Sequence, residues 1–374
     1  MNEAKHPLIK LIFYLKRPKI VIVTGQGYQE AREAIFQVLS KNIKGVKKVK
    51  NLSVLDIFQN NVLIFESDLK QIDLKDLIYF LKNSILPVLV ITQAGEFHPD
   101  KEFFAGDIKD VKEAREIAEL LPSHSFLILN YDDETVREID ILTKAHSLNF
   151  GVGARADVKA TDIVISQRVV DGKIQRGLNF KVNHKGSIVP VWLNNIFGRK
   201  QIYASLAAAS CGMVMDLNLI DVSRGLKSYN SIKGKMRLIK GVKSSWILDG
   251  TDNANPLSMA ESLEVLKRIE APRKIAVIGD ILGIGKYTIE AHESIGERVR
   301  ASAHLLFTIG SRAKFIAKGA LEKGMEKEKI FQFDDISEAI KALYEKIQEG
   351  DLILIDGSKE IKMGRIVEEI KLVK

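Results

Sequence analysis

Short runs of aliphatic and β-branched residues recur along this chain, each followed by a stretch whose apolar positions repeat every three to four residues. In the first half the runs lie at 20–23, 62–65, 88–91 and 126–129, separated by amphipathic stretches such as 31–40, 74–82 and 110–121. An uninterrupted apolar run suits a strand buried on both faces, and a period near 3.6 suits a helix with one buried stripe. Their alternation predicts an α/β fold: a doubly wound, mostly parallel sheet with helices on both sides. From 158 to 191 the pattern changes to strand, turn, strand, with Asp171-Gly172 and Lys185-Gly186 as turn signals. This predicts a β-rich extension closing a first domain. Runs at 246–248, 274–278, 305–309, 330–333 and 352–355, each followed by helical periodicity, predict a second, Rossmann-like sheet. The boundary is placed at residue 197, ahead of the helical run 201–215, giving domains 1–197 and 198–374.

With 374 residues, 46% of them hydrophobic, the chain can fill two ordinary cores. Its net charge of +8 is dispersed over amphipathic segments. The one basic cluster, 41–50 (KNIKGVKKVK), reads as a solvated face, so no nucleic-acid partner is expected. The apolar stretch 8–23 is broken by Lys10, Lys16, Arg17 and Lys19, which excludes a spanning helix or signal peptide and predicts a cytoplasmic protein without membrane insertion. Cys211, the sole cysteine, sits in the helical run ASLAAASCGMVM; it excludes an internal disulfide and reads as a small core residue.

Candidate chemistry begins at 19–30, KIVIVTGQGYQE. A strand, a Gly-containing turn and a helix form the place where nucleotide-binding α/β domains hold phosphate, here with Thr24, Gly25, Gln26 and Gly27 in the turn. A working loop adds a Lys for the β/γ oxygens and a Ser/Thr hydroxyl for Mg²⁺. Tyr28 and Gln29 stand in those positions, and Glu30 brings a negative charge that suits the helix dipole and repels a polyphosphate. Taken alone, these residues read more simply as a strand-turn-helix whose glycines allow a tight turn. A dinucleotide-binding oxidoreductase is set aside, because TGQGYQ is not G-x-G-x-x-G and no acidic residue stands at the spacing a ribose needs.

Further segments in collinear order carry a family resemblance: ITQAGEFH (91–98), LILNYDDETV (127–136), GRKQIYASLAAA (198–209), LDGTDNANPLSM (248–259), KIAVIGDILGIG (274–285) and EAHESIG around His292. Together they resemble the Mur ligases, closest to the MurF type. The resemblance covers nearly the whole chain from about Arg17 and implies a P-loop-like central domain followed by a Mur ligase C-terminal domain. It further implies ATP-dependent amide-bond formation through an acyl phosphate, with ATP and Mg²⁺ as cofactors and a muramoyl peptide as substrate. Residue by residue, it makes Glu66 and His98 the magnesium ligands and catalytic groups. The nucleotide contacts it implies are Thr24, Gly25, Gln26, Gly27, Lys235, Asn253, Asn255 and Asp280. Asn130, Asp132 and Asp133 match the polar turn after a central strand, and His292 falls at a matching position.

The departures from that pattern concentrate on one piece of machinery. Besides Tyr28 and Gln29, Arg115 stands where the family has a carbamylated lysine, and a guanidinium cannot ligate a cation. Lys200 replaces a His, Lys235 an Arg, and Gly250 and Asp252 replace the Asp and Tyr of D-x-Y-N-A-N-P. The chain is also expected to lack the family's N-terminal UDP-binding domain. Phosphoryl transfer rests on positioning and charge neutralisation, so the expectation is a degenerate, non-catalytic relative, a binding or assembly partner in cell-wall synthesis acting on a muramoyl peptide or beside an active Mur ligase paralogue. An active MurF-type ligase is the alternative. The retained residues have plainer readings too: Asn253 or Asn255 as a helix cap before Pro256, Asp280 as a turn residue, Glu66 as a strand-end carboxylate, His98 as a surface histidine.

Overall fold

A computed structural model describes residues 6–50, 52–66, 74–97, 104–106, 108–170, 172–252 and 254–372; Asp171, His98 and Asn253 lie outside the described residues. The chain forms two compact units, Met1–Val164 with Asn179–Leu193 and Lys200–Asn230, and Ile165–Leu178 with Asn194–Arg199 and Ser231–Lys374. Residues 200–230 therefore group with the first unit, past position 197.

The first unit opens with helix α1 (His6–Lys16), strand β1 (Lys19–Thr24), α2 (Tyr28–Asn42), β2 (Val46–Val49), α3 (Val54–Gln59), β3 (Val62–Glu66), α4 (Leu74–Asn83) and β4 (Pro87–Ile91). A small antiparallel pair, β5 (Gly95–Phe97) and β6 (Phe104–Gly106), precedes α5 (Ile108–Leu120), β7 (Phe126–Asn130), α6 (Glu134–Arg137) and β8 (His146–Gly151). Then come β9 (Val158–Val170) and β10 (Lys173–His184), whose residues 165–178 group with the second unit, followed by β11 (Ser187–Asn194), α7 (Arg199–Val214) and α8 (Leu219–Leu226). One sheet of nine strands runs in the order β11-β10-β9-β8-β7-β4-β1-β3-β2. The expected β-rich extension thus continues the same sheet, and its turn at Lys185-Gly186 has both residues at positive φ, the geometry that matches a hairpin's twist.

Strands β1 and β4 are unbroken apolar runs because both their faces are covered. Ile20, Ile22, Leu63, Leu89 and Leu127 share one core with Phe13 of α1, Leu77 of α4 and Ile117 of α5. Val21, Val23 and Ile64 alternate to the other face and are equally buried. Helix α2 is held by α8, where a Cβ on Gly225 would lie 2.7 Å from the Val38 Cα, so the two backbones touch only because that residue is glycine. Cys211 is fully buried, and burial pushes its thiol up to about 12, so it is an inert core group.

The second unit contains β12 (Arg237–Lys240), β13 (Trp246–Gly250), α9 (Pro256–Arg268), β14 (Lys274–Gly279), α10 (Thr288–Ser302), β15 (Leu305–Ile309), α11 (Lys314–Glu322), β16 (Ile330–Phe333), α12 (Ile336–Lys346), β17 (Leu352–Asp356) and α13 (Gly364–Ile370). Its six strands run β12-β13-β17-β14-β15-β16, with β12 antiparallel to β13 and the others parallel. This is the expected Rossmann-like sheet. Ile247, Val277, Phe307, Ile353 and Ile355 form a core with Leu343 and Ile366. Chain order reverses around β17, which inserts between β13 and β14, so Gly250, Asp356 and Gly279 end side by side at the carboxyl edge, where such sheets present their functional loops.

Candidate functional site

In the first unit, the connection from β3 to β4 passes over β1, so the carboxyl end of β1 is a point of strand-order reversal. Parallel pairing brings Val23 level with Glu66 on one side and Thr24 level with Ile91 on the other. The turn leaving β1 is therefore bracketed by the end of β3 and by Thr92-Gln93. Glu66 is placed by its backbone at this edge; the Arg115 side chain instead pairs with Glu138 on the surface, 3.5 Å away.

The turn is stitched to β4. The Gln26 N–H donates to the Gln93 carbonyl at 2.6 Å, and the Thr92 hydroxyl lies 2.6 Å from the Gln26 carbonyl and 3.0 Å from that of Thr24. Gly25 sits at φ +92°, and a Cβ there would be 2.5 Å from the Gln93 oxygen, so this glycine serves close approach to the chain's own backbone. The Tyr28 N–H returns to the Gly25 carbonyl at 3.1 Å. Two of the amides that a phosphate loop points at its ligand are thus spent within the chain. Gly27 caps α2 from a left-handed conformation with no side-chain cap bond. In the first turn of that helix the Glu30 carboxylate is 1% exposed. Burial pushes the Tyr229 phenol well above its ordinary range, and the negative charges of Glu30 and Glu33 push it the same way.

Beyond the turn, the polar residues after β7 divide their roles. Asp133 caps α6 through the Val136 N–H at 3.1 Å and also accepts the Ala94 N–H at 2.8 Å. Asp132 accepts the N–H groups of Val152 at 2.6 Å and Gly153 at 2.9 Å and the Tyr203 hydroxyl at 3.0 Å. Sequence reading missed this cluster, since Gly151, Gly153 and Tyr203 are remote from Asp132 in sequence; a Cβ at either glycine would strike its carboxylate. Asn130 is fully buried, accepts the Asp132 N–H at 3.1 Å, and its Nδ2 has no hydrogen-bond partner among the described residues.

In the second unit the strand-end carboxylates are consumed by the fold. Asp249, wholly buried, accepts the Gly234 N–H at 2.9 Å, the Arg237 guanidinium at 3.3 Å and the Thr251 hydroxyl at 2.8 Å. Asp280 accepts the N–H groups of Arg312 at 3.0 Å and Ala313 at 2.7 Å, which ties the end of β14 to the turn before α11. Asn255 caps α9 by accepting the Ser258 N–H at 2.8 Å, and the Ser258 hydroxyl accepts the Asn255 N–H at 2.9 Å, with Pro256 leading the helix. His292 is buried: Nδ1 lies 2.6 Å from the Thr288 carbonyl and Nε2 accepts the Ile281 N–H at 3.1 Å. Burial holds this imidazole below its ordinary pKa, hence neutral. The two departures Lys235 and Asp252 meet each other, at 3.2 Å, and Lys359 reaches the second Asp252 oxygen at 3.6 Å. Among the described residues, no group of three or more His, Cys, Asp or Glu side chains is arranged to hold a metal ion.

Comparison with known proteins identifies the frame on which these residues sit. Residues 234–359 match the family model described as Mur ligase, glutamate ligase domain. The UDP-N-acetylmuramoyl-tripeptide--D-alanyl-D-alanine ligase of Bacillus subtilis is 26% identical over 368 residues, covering 94% of this chain and 76% of that protein. MurF of Thermotoga maritima, crystallised with ADP, superposes with a TM-score of 0.71 at 19% identity over 98% of this chain and 82% of that one. A MurF structure from Acinetobacter baumannii gives a TM-score of 0.75 at 21% identity over 98% and 79%. At such identity the structural likeness speaks for the fold, and the sequence matches run through both units. This chain is a MurF-like member of the Mur ligase family, with a Mur ligase C-terminal domain in its second half.

Proposed function

We propose that this chain is a non-catalytic MurF-like homologue, keeping the Mur ligase fold as a binding or assembly partner in peptidoglycan precursor synthesis. The observation that carries this reading is the Gln26 N–H, given to the Gln93 carbonyl in a turn where no Lys, Arg, Ser or Thr lies between Gly25 and Glu30. Magnesium-bound ATP needs a cation at its terminal phosphates, a hydroxyl or carboxylate on the metal and open backbone donors. Between Gly25 and Glu30 the turn offers no cation and no Ser or Thr hydroxyl, its central amide is engaged, and a carboxylate is buried one turn behind it. These residues do not suit that cofactor, so no step of acyl activation is assigned to them.

A second reading, an active ATP-dependent amide-bond-forming ligase, draws on the Thermotoga maritima relative crystallised with ADP and on the buried Asn130 amide at the same sheet edge. A melting curve with and without millimolar Mg·ATP separates the two, because any ligand of the native state must raise its stability. The first reading expects an unchanged midpoint. A concentration-dependent rise would overturn it in favour of the second.

A further inference from the structure

Helix α1 is apolar on both of its faces. Its inner face, led by Ile9 and Phe13, is buried, with the Phe13 and Phe80 ring centroids 4.7 Å apart. Its outer face carries Leu8, Leu11 and Leu15 at i, i+3 and i+7, which are 51%, 55% and 73% exposed, with Tyr14 at 57% beside them. Helix α3, which packs on α1, adds Leu55 at 65% and Phe58 at 70% exposed, again one turn apart. A lone exposed leucine needs no explanation, but six large apolar side chains exposed on two helices that pack on each other exceed what a solvated surface ordinarily shows.

The charges that α1 carries are of one sign. Helix α1 contains no Asp or Glu; Lys10 and Lys16 stand on opposite borders of its outer stripe, and Arg17 follows its last turn. Lys10 is held in place by Asp76 at 2.8 Å and by the Tyr79 ring. The one acidic residue of α3, Asp56, is buried and engaged by Lys47 and by the cap at Ser53. An apolar ridge bearing two aromatic rings, bordered by long cationic side chains and with no exposed carboxylate among the described residues of α1 and α3, matches an anionic lipid surface: the leucines enter the acyl boundary, and Lys16 and Arg17 reach the headgroups. No described helix is long and apolar enough to cross a membrane, which makes the contact peripheral.

We propose that the outer face of α1, extended by Leu55 and Phe58 of α3, docks this protein on anionic lipid bilayers. This inference is independent of the nucleotide question. The test is co-sedimentation of the full chain with vesicles of phosphatidylglycerol and phosphatidylcholine, against vesicles of phosphatidylcholine alone. Binding is expected on the anionic vesicles, absent on the neutral ones and weakened by salt. The double variant Leu11→Glu/Leu15→Glu abolishes it, and Lys16→Glu/Arg17→Glu lowers it on the order of tenfold or more. Leu11 and Leu15 are exposed, so the first variant keeps the wild-type melting temperature; should it fail to fold, Leu55→Ser/Phe58→Ser must weaken binding instead. Equal binding to both vesicle types, no binding to either, or unaltered binding by a folded apolar-face variant would overturn the proposal. So would a dimer in light scattering that Leu11→Glu/Leu15→Glu splits, since the patch would then be an interface between copies.

Discussion

The amide of Gln26 and the carbonyl of Gln93 are 2.6 Å apart, and this bond decides how the turn after β1 can be used. A phosphate loop is a concavity of inward-pointing N–H groups kept open by glycine. Here the glycine admits a neighbouring strand end in place of a ligand. Gly25→Ala places a Cβ 2.5 Å from the Gln93 oxygen at φ +92°, whereas Gly27→Ala meets no atom within 4 Å at φ +81°. Chemical denaturation should show Gly25→Ala costing about 2–4 kcal/mol and Gly27→Ala about 1–2 kcal/mol. Equal costs would mean that the stitch to Gln93 is absent in solution.

Asp132 joins β7 to the turn after β8 and to α7 through three donors. Asp132→Ala leaves two backbone N–H groups and a hydroxyl without their acceptor and should lower stability by about 2–4 kcal/mol, with Tyr203→Phe costing about 1 kcal/mol. Denaturant midpoints measure both, and a neutral Asp132→Ala would mean that these three bonds do not hold the turn in solution.

His292 makes the second unit sensitive to acid. Its Nε2 accepts the Ile281 N–H, a bond that protonation destroys, and burial depresses its folded pKa below the ordinary 6.5. The unfolded chain then binds a proton that the folded chain refuses, so stability rises with pH across that interval. The contribution is complete above about pH 6.5 and is lost as pH falls toward the lower folded pKa. Melting temperatures from pH 8 to pH 5 should decline more steeply for wild type than for His292→Gln; parallel curves would remove His292 as the cause.

Asn255 is a helix cap by its geometry, with reciprocal bonds to Ser258. Asn255→Ala should cost about 1 kcal/mol and Asn255→Ser much less. If Asn255→Ser is as damaging as Asn255→Ala, capping is not what this side chain contributes.

The fold was largely legible because parallel sheets buried on both faces write themselves as unbroken apolar runs, as KIVIVT of β1 and PVLVI of β4 do. Strand β2 was hidden, since an edge strand reading VKKV carries its lysines outward, to Asp56 and Glu33, and resembles a solvated segment. Asn255 was legible as a cap because the Asn-Pro pair is local. The hidden features are those made by distant partners: Gln93 on the Gln26 amide, Tyr203 and Gly153 on Asp132, Lys235 on Asp252. None has a fixed sequence spacing. The outer face of α1 escaped for a different reason: its lysines broke the run into something that resembles no membrane signal, and only the exposure of Leu11 and Leu15 reveals a second apolar stripe.

The most direct measurement is phosphate release from ATP by the purified chain, supplied with Mg²⁺, UDP-N-acetylmuramoyl-tripeptide and D-alanyl-D-alanine. A turn whose central amide is already bonded and which holds no cation should leave release at the level of the protein-free control. Sustained release that requires both substrates would contradict the non-catalytic account.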